Sequence, residues 1–207
     1  MLGGFGLDTI LIILLLIFSL SVHEFAHAWV AYLRGDDTPA LAGRLTLNPI
    51  AHIDWGGLLV LILTRKIGWM KPVPVNFWRL SSPRRLSIIL VAVAGPLSNI
   101  ILAFGFVLLG KLFVTLRNPW LANLFIQTAV INVFLAGFNL FFLPPLDGYR
   151  IFASLAFENP EVLFANSQVE LFGTLVLLGL VFLAPTIIWK WVDFISEPII
   201  TFLNMIL

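Results

Sequence analysis

The chain has 207 residues, 60% of them hydrophobic and 11% charged, against roughly 25% charged in a soluble globular protein. Its formal net charge is +1 and it has no cysteine, which excludes a large basic surface for nucleic acid, disulfides and thiolate metal sites. What remains is an all-α polytopic membrane protein, organised as one membrane-embedded domain over 1–207 with little mass left for a soluble module.

Met1 to Asp8 carries no basic residue ahead of its apolar run, so the first hydrophobic segment reads as retained rather than as a cleaved signal. Four segments reach the ~20 residues a membrane helix needs. They lie at roughly 7–33, 86–116, 121–143 and 169–191. The first contains His23-Glu24-Phe25-Ala26-His27. On a helix the two histidines stand one turn apart on one face and can grip a single zinc ion. Glu24 sits about 100° round from His23 and about 60° from His27. It can therefore reach a water at the open metal position without being a ligand. HExxH is a loose pattern that also arises by chance. Inside a membrane helix, however, an ionisable group costs roughly 2.5–3.5 kcal/mol, so function is the default reading.

The connection 34–85 holds Arg34, Arg44, Arg65, Lys66, Lys71, Arg79, Arg84 and Arg85, eight of the 12 basic residues. The positive-inside rule places it in the cytoplasm. Within it, Trp55–Leu63 is apolar but too short to span, and it reads as a re-entrant or interfacial piece. His52 is either a structural hydrogen-bonding residue or a transient fourth ligand. Lys71–Asn76 cannot be helical through its two prolines. It reads as extended, either a strand edge able to pair with unwound substrate or a surface connector. A second short apolar stretch, 198–207, follows Pro198, so the span count is four to six.

With 34–85 inside, the first helix runs inward, 86–116 returns outward and 121–143 comes back in. Lys111 and Arg117 fall on the opposite side. His27 lies about 7 residues, or ~10 Å, from the cytoplasmic end of its helix. The third helix ends at that same side, at Leu143, followed by Pro144-Pro145-Leu146-Asp147-Gly148. The prolines stop the helix and the glycine permits a tight turn. Asp147 is thus presented at the depth of His23 and His27, unless it is an ordinary turn residue. Two imidazoles, one carboxylate and one water complete a catalytic zinc site. Asn99 shares a helix face with Ala92 and Gly95 and either packs across helices or lies near the substrate or transition state. Asn132 and Asn139, seven apart, also share a face. Trp189, Lys190 and Trp191 read as an interfacial anchor.

With these motifs placed, the chain resembles the site-2 protease family of intramembrane zinc metalloproteases. The resemblance covers about residues 20–150. It rests on His23–His27, on Gly43–Pro49 with His52-Ile53-Asp54, on Lys71–Asn76, on Gly95-Pro96-Leu97-Ser98-Asn99, and on Asn139–Gly148, all in family order. It implies that His23, His27 and Asp147 bind one Zn2+, that Glu24 is the catalytic base and acid, and that Asn139 contacts substrate backbone. Two positions depart from the family pattern: Phe142 stands where a proline is usual, and Trp55 stands where one often follows His-Ile-Asp. Some relatives carry PDZ or CBS domains, for which this chain has no room. It resembles the minimal branch, a catalytic core over about 7–150 with C-terminal helices over about 169–207.

The activity expected is peptide-bond hydrolysis within or near transmembrane segments of membrane-protein substrates, in the plasma membrane, with the active site towards the cytoplasm. Its partners are a substrate with a transmembrane helix and the lipid bilayer, without nucleic acid; the sequence sets no oligomeric state. The alternative is a membrane metal transporter or metal-binding protein, since such carriers also bind zinc through His and Glu on membrane helices. Segments 86–116 and 169–191 offer no histidine, and no carboxylate beyond Glu170 at one edge, to pass an ion along.

Overall fold

The computed structural model describes residues 6–64 and 69–205, with backbone alone over 60–64. The expectations for Met1–Phe5, for Arg65 and Lys66, and for Ile206 and Leu207 lie outside these residues. Among the described residues ten helices follow one another and no strand forms. They are α1 (Leu7–Leu33), α2 (Thr38–Leu41), α3 (Pro49–His52), α4 (Trp55–Thr64), α5 (Arg84–Thr115), α6 (Pro119–Asn139), α7 (Asp147–Ala156), α8 (Pro160–Phe164), α9 (Ser167–Leu183) and α10 (Pro185–Asn204).

Three helices, α1, α5 and α6, are long and apolar enough to cross a membrane. They form the bundle that holds the site. Small residues let the helices approach: Ala28, Ala31, Ala92, Ala103 and Ala136 are fully buried, as van der Waals packing in lipid favours. A buried hydrogen bond from Asn132 Nδ2 to Ser19 Oγ, 3.0 Å, ties α6 to the middle of α1. The α6 start follows from its sequence, because Asn118 accepts the Leu121 N–H and Pro119 opens the helix.

Three boundaries differ from the sequence reading. The segment 121–143 leaves the helix at Asn139, whose Nδ2 donates back to the Leu135 carbonyl at 3.0 Å. Phe141 then turns into a separate core with Leu146, Leu177, Ile188 and Val192. The segment 169–191 is not one helix. It breaks at Ala184, before Pro185, and α9 and α10 meet at 96°. The helical region is disfavoured for a residue before a proline, Ala184 sits outside it at φ −138° and ψ 53°, and Pro185 has no N–H to continue the ladder. Finally, the apolar stretch after Pro198 is the end of α10 rather than a separate piece, with Pro198 inside the helix. Among the described residues the candidate spans number three, or four if α9 and α10 make one bent span. The stretch from Trp55 is a ten-residue helix, about 15 Å long and too short to span.

The connection between α1 and α5 is held together internally by buried polar groups. Asp36 is fully buried and accepts from the Thr38 N–H at 3.0 Å and the Asn76 N–H at 2.7 Å. His52 is also fully buried, with Nε2 2.8 Å from the Thr46 carbonyl oxygen. The segment Lys71–Asn76 runs without regular structure, as its prolines require, next to an isolated bridge between Ile53 and Met70.

Candidate active site

α1 places His23 and His27 one turn apart, at 4% and 6% exposure. The chain after α6 doubles back sharply and delivers Asp147 as the first residue of α7, rather than within the loop itself. Gly148 permits this return, since a β-carbon there would stand 2.5 Å from the Phe141 carbonyl oxygen. His23 Nε2 and His27 Nε2 each lie 3.2 Å from Asp147 Oδ2, and 3.1 Å from one another. In a tetrahedral zinc site with bonds of about 2.05 Å, ligand atoms stand about 3.3 Å apart, so this triangle fits the ion to within ~0.2 Å. It is the one group of three or more metal-ligating side chains among the described residues.

The surroundings match that geometry. His27 Nδ1 lies 2.7 Å from the Val91 carbonyl oxygen. A carbonyl only accepts, so Nδ1 carries the proton and Nε2 keeps its lone pair for a metal. Asp147 Oδ2 is buried without a hydrogen-bond donor among the described residues. Its Oδ1 faces Arg150 NH1 at 3.5 Å, and that guanidinium lies over the Phe77 ring, 5.6 Å from its centroid. Burial opposes a charge on Asp147, but the two histidines beside it, when protonated, outweigh it and hold the carboxyl below the usual carboxylate range. On the α5 side, Gly95 leaves no room for a β-carbon beneath the rings.

Glu24 is half-buried, and its Oε2 accepts the Val73 N–H at 2.9 Å. The extended segment therefore touches the site through its backbone. Its Lys71 N–H goes to the His52 carbonyl at 2.8 Å, and its Asn76 N–H goes to Asp36. Pro72 and Pro74 have no N–H to offer. An extended chain shows alternate residues on opposite edges, so the edge of Pro72 and Pro74 offers only carbonyl acceptors.

The expected residues separate into two groups. His23, His27 and Asp147 come together. Asn99 lies one turn along α5 from Gly95, fully buried, and neither end of its amide has a partner among the described residues. Asn139 bonds its own helix, and Asn132 is the strut to Ser19. Sequence reasoning missed the Val73 amide, the Val91 carbonyl and Arg150. The first two are backbone groups and leave no mark in a residue pattern. Arg150 had a signal, since it lies three residues after Asp147 on the same helix face.

Residues 11–119 match the family model described as "Peptidase family M50". Over 176 residues the chain is 45% identical to the Bacillus subtilis protein named "Putative zinc metalloprotease YwhC", covering 82% of this chain and 78% of that one. It is 33% identical over 179 residues to "Putative zinc metalloprotease Rip2" of Mycobacterium tuberculosis, covering 82% of this chain and 65% of that longer protein. A 61-residue stretch is 41% identical to "Putative zinc metalloprotease MJ0611" of Methanocaldococcus jannaschii, covering 30% of this chain and 31% of that protein. No solved structure matches the chain. The chain belongs to peptidase family M50, the site-2 protease family, and is a membrane-embedded zinc metalloprotease.

Proposed function

We propose that this protein hydrolyses peptide bonds within or near transmembrane segments of membrane-protein substrates, as a step of regulated intramembrane proteolysis. His23, His27 and Asp147 hold the zinc ion, and the active site opens towards the cytoplasm. The observation that carries the ligand assignment is the buried triangle of two Nε2 atoms and Oδ2, with edges of 3.1–3.2 Å. Bound zinc supplies Lewis acidity for the scissile carbonyl and acidifies a water. Glu24 takes a proton from the attacking water and returns it to the leaving amine. Its carboxylate is aimed by the Val73 amide. Asn99, with its buried unpaired amide, offers a donor to the developing oxyanion. Asn139 receives substrate backbone. The substrate must unwind locally, because helical hydrogen bonds shield its carbonyls. Pairing along Pro72 and Pro74 would use their carbonyls against substrate N–H groups.

A transport reading requires a second set of ligands along a path. Among the described residues only one three-ligand group exists, which favours hydrolysis. The test is zinc stoichiometry, with cleavage of a reporter transmembrane substrate, for wild type, His27→Ala, Asp147→Ala and Glu24→Gln. Wild type and Glu24→Gln are expected to hold about one zinc per chain, and the other two to lose it. Only wild type should cleave. Zinc retained by Asp147→Ala and lost by Glu24→Gln would make Glu24 a ligand and overturn the mechanism.

A further inference from the structure

Arg150 is the fourth residue of α7, the helix that opens on Asp147. A cation near a helix N-terminus meets the positive end of the macrodipole, so helix stability does not favour it there. Nor is it a freely solvated charge, since its side chain is 25% exposed and that of Asp147 only 6%. Arg150 NH1 lies 3.5 Å from Asp147 Oδ1. On its other side the guanidinium carbon lies 5.6 Å from the centroid of the Phe77 ring, within cation–π range. That ring is itself held. It packs on the buried Phe164, with centroids 4.9 Å apart. The preceding residue, Asn76, donates its N–H to the buried Asp36 at 2.7 Å. The guanidinium therefore has a seat outside its own helix, on the chain segment that also carries the Val73 amide to Glu24.

The two oxygens of Asp147 meet different surroundings. Oδ2 lies 3.2 Å from each histidine Nε2, whereas Oδ1 faces Arg150. A carboxylate can meet a metal through one oxygen or through both. Two oxygens from Asp147 would occupy the position that a catalytic zinc site keeps open. A donor on Oδ1 engages that oxygen and aims the other, as partners of metal ligands do. Arg suits this task better than Lys, because its flat guanidinium stacks on a ring while its edge presents N–H groups.

We propose that Arg150, seated on Phe77, is a positioning residue that holds Asp147 Oδ1 aside so that Oδ2 alone meets the zinc ion. The inference rests on Asp147 as a zinc ligand, and metal spectroscopy tests it without a cleavage step. The full chain in detergent would be loaded with Co2+, whose visible band is intense at four ligands and weak at five, and zinc affinity would be read by chelator competition. Wild type is expected to show the intense band. Arg150→Met is expected to lose most of that intensity as Oδ1 joins the metal, and to bind zinc about 10-fold more weakly. Phe77→Leu should shift the spectrum in the same direction. The double variant should be no worse than Arg150→Met, because the ring acts through the guanidinium. A weak wild-type band, a wild-type spectrum in Arg150→Met, or losses that add in full in the double variant overturns the proposal. A merely structural Arg150 would lower thermal stability and leave the spectrum unmoved. If a far-UV spectrum shows Arg150→Met unfolded, Phe77→Leu carries the test, and its unchanged spectrum refutes the role. Asp147→Ala separates the two readings. A wild-type spectrum there overturns both, whereas a changed one beside an unchanged Arg150→Met overturns this inference alone.

Discussion

A β-carbon on Gly95 would stand 2.6 Å from His23 Nε2, the ring atom that points at Asp147. The position is helical, so the glycine is there for closeness rather than for an unusual backbone conformation. α5 thus forms a floor against which both imidazoles lie.

Gly95→Ala should therefore displace the rings while leaving the helix intact, because alanine is the better helix former. We expect zinc affinity to fall at least ~10-fold, as when a supporting group of a metal ligand is lost. A zinc-chelator titration beside a far-UV spectrum would check this. Unchanged affinity would mean that the floor is not needed to hold the rings.

The Val73 amide can be removed while the chain stays extended. Val73→Pro deletes the N–H that Glu24 accepts, whereas Val73→Ala keeps it and trims only the side chain. Val73→Pro should lower kcat about 10²-fold with KM and zinc content unchanged, the scale of a small misplacement of a catalytic group. Val73→Ala should stay near wild type. Equal losses in the two variants would reduce Val73 to a packing role.

Asn99→Ala should lower kcat by roughly 10²–10³-fold with little change in KM, as for loss of an oxyanion donor. Thermal unfolding in detergent should barely move, since the amide has no partner among the described residues to lose. A marked fall in stability with normal kcat would make it a packing residue.

His52→Ala separates a structural histidine from a ligand. Its Nε2 is committed to the Thr46 carbonyl, 2.8 Å away, so the variant should keep about one zinc per chain. Stability should drop by about 1–3 kcal/mol for the buried carbonyl left unpaired. Loss of zinc would restore it as a ligand.

What the sequence disclosed was what periodicity and motif spacing can carry. HExxH needs only a helix to bring its histidines together, and the long apolar runs of α1, α5 and α6 make the spans plain. The turn through Pro144, Pro145 and Gly148 announced the approach of Asp147, although α6 ends four residues before Leu143. The 96° bend was present as Ala184-Pro185, but the apolar content of 169–191 masked it. The grips of Val73 on Glu24 and of Val91 on His27 join backbone groups to side chains 49 and 64 residues away. Chain order does not record such contacts. Nor does it reveal that Asn139 bonds Leu135 of its own helix.

The order in which the site is assembled bears on how the protein is made. His27 and Asp147 are 120 residues apart in the chain. At roughly 5–20 residues per second the ribosome needs about 6–24 s to pass from one to the other. During that interval α1 and α5 can enter the bilayer with the histidine pair already resting on Gly95 and Val91, while the third atom of the triangle does not yet exist. A nascent chain therefore lacks the third member of the proposed zinc site, and a fragment ending before α7 would never gain it. On that proposal, synthesis itself delays the arming of a hydrolase that is born among other membrane helices.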